Sequence, residues 1–329
     1  MNNNNQIIYI LCTANLRSGG PEALHQLRFY MEKAGLKAYM VYFNITENID
    51  PMPEVYKIYG TNRKLFAQII DKKTNIIIAP ESSTIMLNGF GKIRKYIWWL
   101  SVNWFDYKPA TNAKLLKLNI RNFLRYKKQI LSYNDFKLNN CTHLCGSKYA
   151  FEYVSALGIR KPHYLVEPIS KEFLDADMNS DYIRNDEVLY NPAKPSEIMN
   201  KLLEDNTFKF KPLMNMVPAQ LIESYKKAKL YIDFGHFGGP ERMPKEAVYF
   251  GATILVNYRN AAQNDFDIAI PLKYKVKEYN DLEQVKLMIK SMLDNYDANI
   301  NDFEFFREKI KNLESNFMKQ IDDIFCSCL

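Results

Sequence analysis

Leu230-Tyr231-Ile232-Asp233-Phe234 followed by Gly235-His236-Phe237-Gly238-Gly239-Pro240-Glu241-Arg242-Met243-Pro244-Lys245-Glu246-Ala247 decides how this chain is read. The apolar run is a strand, the glycines are a turn, and the charged residues open a helix that leads to a second apolar run at Thr253 to Asn257. Pro244 suits a first helical position, where its missing N–H costs nothing. A helix start offers free N–H groups and partial positive charge, so an anion, above all a diphosphate, fits there. Glycines 235, 238 and 239 allow close approach to the backbone, and Arg242 and Lys245 supply positive charge. Glu246 repels phosphate and makes sense as an acceptor for ribose hydroxyls. A plainer reading stands beside this one, a surface loop whose charges cap a helix.

The rest of the chain favours the ligand site. Its 329 residues suffice for two domains, each with its own core, and 47% apolar with 25% charged residues excludes wholesale disorder. A net charge of +7 favours phosphorylated ligands, polyanions or anionic membranes without choosing among them. No apolar run reaches the roughly 18 to 20 residues of a membrane helix, and the N-terminus lacks a basic segment before a long apolar one, so a cytoplasmic protein is expected. Five irregularly spaced cysteines argue for free thiols in a reducing compartment, and Cys141-Thr142-His143-Leu144-Cys145 reads as a strand with buried thiols rather than a metal site.

Two similar halves emerge. Ile7 to Cys12 is a strand, followed by a loop through Gly19 and Gly20 and a helix patterned on Leu24, Leu27, Tyr30, Met31 and Ala34. Ala38 to Phe43, Asn75 to Ala79 and Thr142 to Cys145 are further strands, with helical material expected between the first two and a helix at Ser147 to Leu157. A basic region, Lys114 to Lys128, precedes a strand candidate at Gln129 to Tyr133, and Lys161 to Phe173 reads as a linker. The second half repeats the plan, with strands at Glu187 to Tyr190, Phe208 to Pro212, Leu230 to Phe234 and Thr253 to Asn257. Helices separate them at Pro195 to Glu204, Pro218 to Ala228 and Met243 to Phe250. Phe303, Phe306, Ile310, Leu313, Phe317, Ile321 and Ile324 mark a long amphipathic C-terminal helix expected to serve in packing, with a membrane-surface role as the other reading. The expected divisions are 1–165, 166–300 and a helix over 301–329.

Leu189-Tyr190-Asn191-Pro192-Ala193-Lys194 ends the first strand of the second half, which puts Lys194 at the carboxyl edge of the same sheet as the Arg242 loop. Ligands of open parallel sheets bind at that edge. These residues, with Gly239 to Ala247, resemble the donor-binding half of GT-B glycosyltransferases, and Asn15 to Gly20 resembles their N-terminal glycine loop. The resemblance implies an α/β fold of two Rossmann-like domains facing each other, and an enzyme moving a sugar from a nucleotide-sugar, a UDP-sugar first of all, to a glycan or lipid-linked glycan acceptor. The setting it implies is bacterial capsule or lipooligosaccharide synthesis, with neither metal nor nucleic acid and with room for peripheral contact at the cytoplasmic face of the inner membrane.

It further implies a donor site made of Gly19, Gly20, Asn191, Lys194, Met216, His236, Gly238, Gly239, Pro240, Arg242, Met243, Lys245 and Glu246. Glu246 goes to the ribose, and Lys194 with Arg242 or Lys245 to the diphosphate. Gly238 stands where retaining members carry an earlier glutamate, so Glu241 is the substitute candidate and Asp106 the candidate base from the first half. Arg17, Glu81, Ser82 and Trp99 are candidates for the acceptor cleft, Trp99 by stacking on a sugar, with burial as its other explanation. His25 is a further candidate to line that cleft, with packing or a surface position as its other reading. A nucleotide-sugar 2-epimerase of the same architecture is the nearest rival reading, and a non-catalytic binder of anionic membrane or nucleic acid, suggested by Lys92 to Lys95 and Arg121 to Lys128, is the other.

Overall fold

The computed structural model of the protein describes residues 6–105, 140–176, 182–194, 196–277 and 281–326. The chain divides into two compact units, residues 1–167 joined by 315–329, and residues 168–314.

The first unit is built on a parallel sheet of seven strands. These are β1 (Ile8–Thr13), β2 (Ala38–Phe43), β3 (Arg63–Lys64), β4 (Ile76–Pro80), β5 (Arg94–Trp99), β6 (Thr142–Cys145) and β7 (His163–Tyr164), in the order β3-β2-β1-β4-β5-β6-β7. The central strands are apolar on both faces because both faces are covered. Ile8, Ile10 and Cys12 pack into one core with helix α1 (Gly19–Lys33), while Tyr9 and Leu11 pack into the other with helix α2 (Lys148–Ala156). Between β2 and β4 the expected helices are replaced by two 3-10 turns, Glu54–Tyr59 and Phe66–Gln68, and by β3. Pro51 and Pro53 disfavour the α conformation before them, and Gly60 at φ 85° ends the first turn, so no full helix has room to form. The aromatic segment ending in Trp99 is a core strand, and part of the expected linker, His163–Tyr164, pairs with β6. The strand expected at Gln129 to Tyr133 and the basic region before it lie outside the described residues.

The second unit carries β8 (Asn185–Tyr190), β9 (Phe210–Pro212), β10 (Ala228–Asp233), β11 (Thr253–Asn257) and β12 (Lys275–Val276), all parallel, in the order β12-β11-β10-β8-β9. Helices α3 (Glu197–Asp205), α4 (Pro218–Lys227) and α5 (Arg242–Tyr249) connect successive strands, and α6 (Leu282–Asp294) and α7 (Glu304–Lys311) follow. The first strand of this unit, β8, has its successor β9 on one side and β10 on the other. Connections therefore leave in opposite directions at the β8/β10 junction, and the loops there diverge and open a crevice. The corresponding junction of the first sheet lies between β1 and β4.

The C-terminal segment is helical in consecutive pieces, a 3-10 turn (Ile300–Phe303), α7, α8 (Leu313–Ile321) and a π turn (Asp322–Cys326). All seven apolar positions of the amphipathic pattern are buried. Phe317 sits edge-on to Tyr30 at 5.7 Å and stacks with Trp98 at 6.0 Å, Phe325 stacks with Tyr96, and Gln320 accepts from the Val166 N–H at 2.8 Å. These contacts close the α1 side of the first unit. No helix among the described residues is long and apolar enough to cross a membrane.

His25 on α1 is fully buried, its Nδ1 2.6 Å from the Pro21 carbonyl and its Nε2 2.8 Å from the Tyr42 hydroxyl. Both contacts suit a neutral ring that donates through Nδ1 and accepts at Nε2. Burial lowers its pKa to about 4, with the Pro21 hydrogen bond raising it, Arg28 lowering it and Glu22 raising it. The unfolded chain therefore binds a proton that the folded chain refuses between about pH 6.5 and about 4. Stability should be complete above that window and fall by roughly 3 kcal/mol as pH drops through it. A His25→Gln variant should lose that component, and denaturant titrations at pH 7 and pH 4.5 check it.

Candidate functional site

At the β8/β10 junction the chain brings one ammonium group and two carboxylates together. β8 ends at Tyr190, and the Asn191 side chain folds the next residues into a tight turn by accepting the Ala193 N–H at 3.0 Å. That turn delivers Lys194. β10 ends at Asp233, a 3% exposed acid whose carboxylate accepts from the Tyr231 hydroxyl at 3.2 Å and the Gly235 N–H at 3.0 Å. Lys194 Nζ lies 3.5 Å from Asp233 and bonds directly to the Glu241 carboxylate. Its ammonium also stands over the Phe237 ring at 5.1 Å.

Gly235 makes this approach sterically allowed. A Cβ placed there would stand 2.5 Å from Lys194 Cβ and 3.0 Å from its Cδ. Beyond it His236 is exposed, whereas Gly238, Gly239 and Pro240 are buried. Glu241 folds back over them: its Oε1 accepts the Gly238 N–H at 3.1 Å, while Oε2 takes Lys194. A carboxylate thus occupies a seat formed by a glycine amide and an ammonium group. Burial raises the pKa of that carboxyl, against the lowering effect of Lys194.

Helix α5 begins at Arg242, two residues earlier than the proline placement expects, and Pro244 falls in its first turn. The reason is simple, since the first amides of any helix lack an intrahelical acceptor, so proline fits at several of these positions. Arg242 reaches Ser170 Oγ at 3.5 Å, and Met243 is half-buried beside it in sequence. Lys245 and Glu246 are 4% and 5% exposed, and Glu246 Oε2 accepts from the Tyr225 hydroxyl at 3.2 Å. Met216, half-buried after β9, receives the Ser224 hydroxyl at 4.0 Å on its sulfur.

In the first unit, the β1/β4 junction presents exposed Arg17 and Ser82, and Gly19 and Gly20 open α1 after an exposed Ser18. Glu81 and Trp99 turn the other way. Glu81 is 2% exposed and its Oε2 accepts the Leu100 N–H at 2.9 Å, tying the carboxyl end of β4 to that of β5. Burial pushes its pKa up to about 7, hydrogen bonds from backbone amides oppose this, and Glu167 adds to it. Trp99 is fully buried, and its indole N–H donates to His143 Nδ1 at 2.9 Å. Neither residue lines a surface, which corrects their assignment to an acceptor cleft. Each polar group is bonded inside the first unit, Glu81 to the Leu100 amide and Trp99 to His143. Asp106 lies outside the described residues.

No family model matches the sequence, and no curated protein matches it. Solved structures do. TarM superposes with a TM-score of 0.65 at 9% identity, covering 96% of this chain and 98% of its own. Sucrose-phosphate synthase from Thermosynechococcus elongatus gives 0.62 at 10% identity over 98% and 99% of the two chains. An α-glucosyltransferase solved with UDP and a 13-mer DNA containing an HMU base gives 0.54 at 10% identity over 97% and 98%.

The chain has the GT-B fold. Within its second GT-B unit the crevice residues gather at one sheet junction, whereas a cavity of about 530 Å³ beside β12, lined by Lys273, Lys277 and Met288 among others, lies two strands away from β10. Among the described residues no group of three or more His, Cys, Asp or Glu has a metal-holding arrangement, and Asp265 is tied to Lys275 at 3.0 Å. Sequence reading missed Asp233, Tyr231 and Tyr225. An acid at the end of an otherwise apolar strand, one residue from a glycine turn, was the available signal for Asp233.

The close approach at Gly235 is testable on stability alone. Gly235→Ala forces Cβ against the stem of Lys194, whose base is fixed by the Asn191 turn, and overpacking of this kind costs about 1 to 3 kcal/mol. Denaturant unfolding of the variant should show a lowered midpoint; an unchanged midpoint would mean that the two loops do not meet.

Proposed function

We propose that the protein is a glycosyltransferase that takes a sugar from a nucleoside-diphosphate sugar, a UDP-sugar first of all, and passes it to a glycan or lipid-linked glycan acceptor in bacterial cell-surface polysaccharide synthesis, capsule or lipooligosaccharide. The observation that carries the reading is the anion seat at the β8/β10 junction, where the Gly238 N–H and Lys194 already hold a carboxylate of the chain itself. A diphosphate is the larger and more highly charged anion for the same donors.

The charges explain what such a ligand must do. Lys194, Arg242 and Lys245 oppose Asp233, Glu241 and Glu246, so the site is close to neutral when empty. On this reading the diphosphate displaces Glu241 from Lys194, Glu246 takes the ribose hydroxyls, and backbone groups near Met216 meet the base. When the bond from the anomeric carbon to the diphosphate oxygen breaks, the leaving group gains negative charge beside these cations, which stabilises it without a metal. The acceptor hydroxyl oxygen forms the new glycosidic bond, and its proton passes to the released diphosphate or to water. Glu241 was a candidate for catalysis through the resemblance alone; its pairing with Lys194 favours a competitor for the seat. Arg17 and Ser82 are the acceptor-side candidates that remain exposed.

A thermal-shift series with UDP, GDP, CMP and dTDP tests the donor site. UDP should raise the melting temperature of the wild type by mass action, and Lys194→Ala and Glu246→Ala should each weaken binding at least about tenfold. Absence of a shift with any nucleotide would overturn the reading. Glu241→Gln separates the two roles of that residue: a competitor's loss tightens UDP-glucose binding near neutral pH, while a catalytic residue's loss leaves binding alone and abolishes transfer. Wild-type affinity for UDP-glucose should rise as pH falls toward the raised titration of Glu241, and the Glu241→Gln variant should show a flat profile. Activity unchanged by EDTA would agree with metal-free chemistry.

A further inference from the structure

At the amino edge of the first sheet, opposite its β1/β4 carboxyl edge, two segments come together outside the site described above. The Asp71 carboxylate accepts three backbone amides, those of Gly91, Lys92 and Ile93, at 2.9, 2.8 and 2.7 Å. Arg94 reaches across to the Thr74 carbonyl at 3.2 Å, and the Phe66 and Phe90 rings meet at 5.7 Å. The run before β4 and the run before β5 therefore form one surface.

Its composition is unusual for a surface with nothing on it. Leu65 is 63% exposed and Ile70 54%, and Phe66 is also exposed. Ile69 and Phe90, between and beside them, are the partly buried residues that anchor the segment to the core. Around the apolar group stand Lys72, Lys73, Lys92 and Arg94, all exposed and none in an ion pair with another described residue. The sequence from Arg63 to Thr74 and from Asn88 to Lys95 contains one acid, Asp71. That acid is consumed by the three amides, which hold its pKa below the usual carboxylate range, the Gly91 amide foremost.

We propose that this face docks the protein on a bilayer that carries anionic lipid headgroups, with Leu65, Phe66 and Ile70 entering the interface and the four cations meeting the headgroups. Charge complementarity selects an anionic partner. Exposed leucine and isoleucine select lipid over nucleic acid, because a polynucleotide offers phosphates and base edges but no apolar layer for aliphatic side chains. Docking here leaves the opposite edge of the same sheet, with Arg17 and Ser82, facing away from the headgroups. The proposal does not depend on the sugar-transfer reading, since it concerns only the first unit's amino edge.

Flotation of the full chain with vesicles of phosphatidylcholine alone, or with about one-third phosphatidylglycerol, is the test. Binding should appear only with phosphatidylglycerol and weaken as salt rises. The triple variant Lys72→Glu, Lys73→Glu, Lys92→Glu should lower partitioning by about a hundredfold or more, since each basic residue near an anionic surface contributes roughly a fivefold factor. Leu65→Ser with Ile70→Ser should lower it several-fold with the charges intact. All five positions are solvent-exposed, and an unchanged melting temperature shows that each variant is folded. No binding to the anionic vesicles, or binding untouched by both variants, overturns the proposal. So does tighter, salt-sensitive binding to single-stranded RNA or DNA that the charge reversals abolish and the serine variants leave intact, which would make the face a nucleic-acid surface.

Discussion

Much of the second unit's architecture converges on the ion cluster in which Lys194 meets Asp233 and Glu241. Two loops from neighbouring strands must leave the sheet in opposite directions and yet return their side chains to one point. The Asn191 turn fixes the height of the lysine, and Gly235 removes the atom that would keep it away. Asp233 is itself held by Tyr231 and the Gly235 amide, so the acid that anchors the lysine is not free to rotate. Buried charges of this kind persist only when each has opposite charge and hydrogen bonds. A small anion seat is thereby built from groups that would each be costly alone.

The parallel core was the most legible part of the sequence. β2, β6 and β11 coincide with their apolar runs, and β1, β4, β8, β9 and β10 differ by a residue or two, because strands covered on both faces have no polar alternation to blur them; β5, where no strand was expected, is the exception. The segment between β2 and β4 was less legible, since prolines and a glycine interrupt the pattern there and short 3-10 turns carry no periodic signal. β7 hid inside a linker-like stretch because two residues are too few to show a period.

The candidate site was legible in its loops and opaque in its pairings. Lys194 stood out by residue type beyond a strand end, and Glu241 and Glu246 by residue type at a helix start. That Glu241 would answer Lys194, and Tyr225 would answer Glu246, depends on distances between segments far apart in the chain. Trp99 and Glu81 show the reverse error. An aromatic and an acid at the carboxyl edge of a sheet look like ligand contacts, yet each finds its partner inside, His143 in one case and the backbone of Leu100 in the other. Sequence gives the inventory of polar groups at an edge, but not which of them the core has already claimed.

Phe317, Ile321 and Phe325 lie against Tyr30, Trp98 and Tyr96, which the ribosome made long before them. The α1 face of the first unit is therefore incomplete until Phe317 to Phe325 have been made, with aromatic surface left open while the whole second unit is synthesised. Cotranslational folding can finish the second unit first, even though most of it is encoded later, and the unit begun at β1 closes after it.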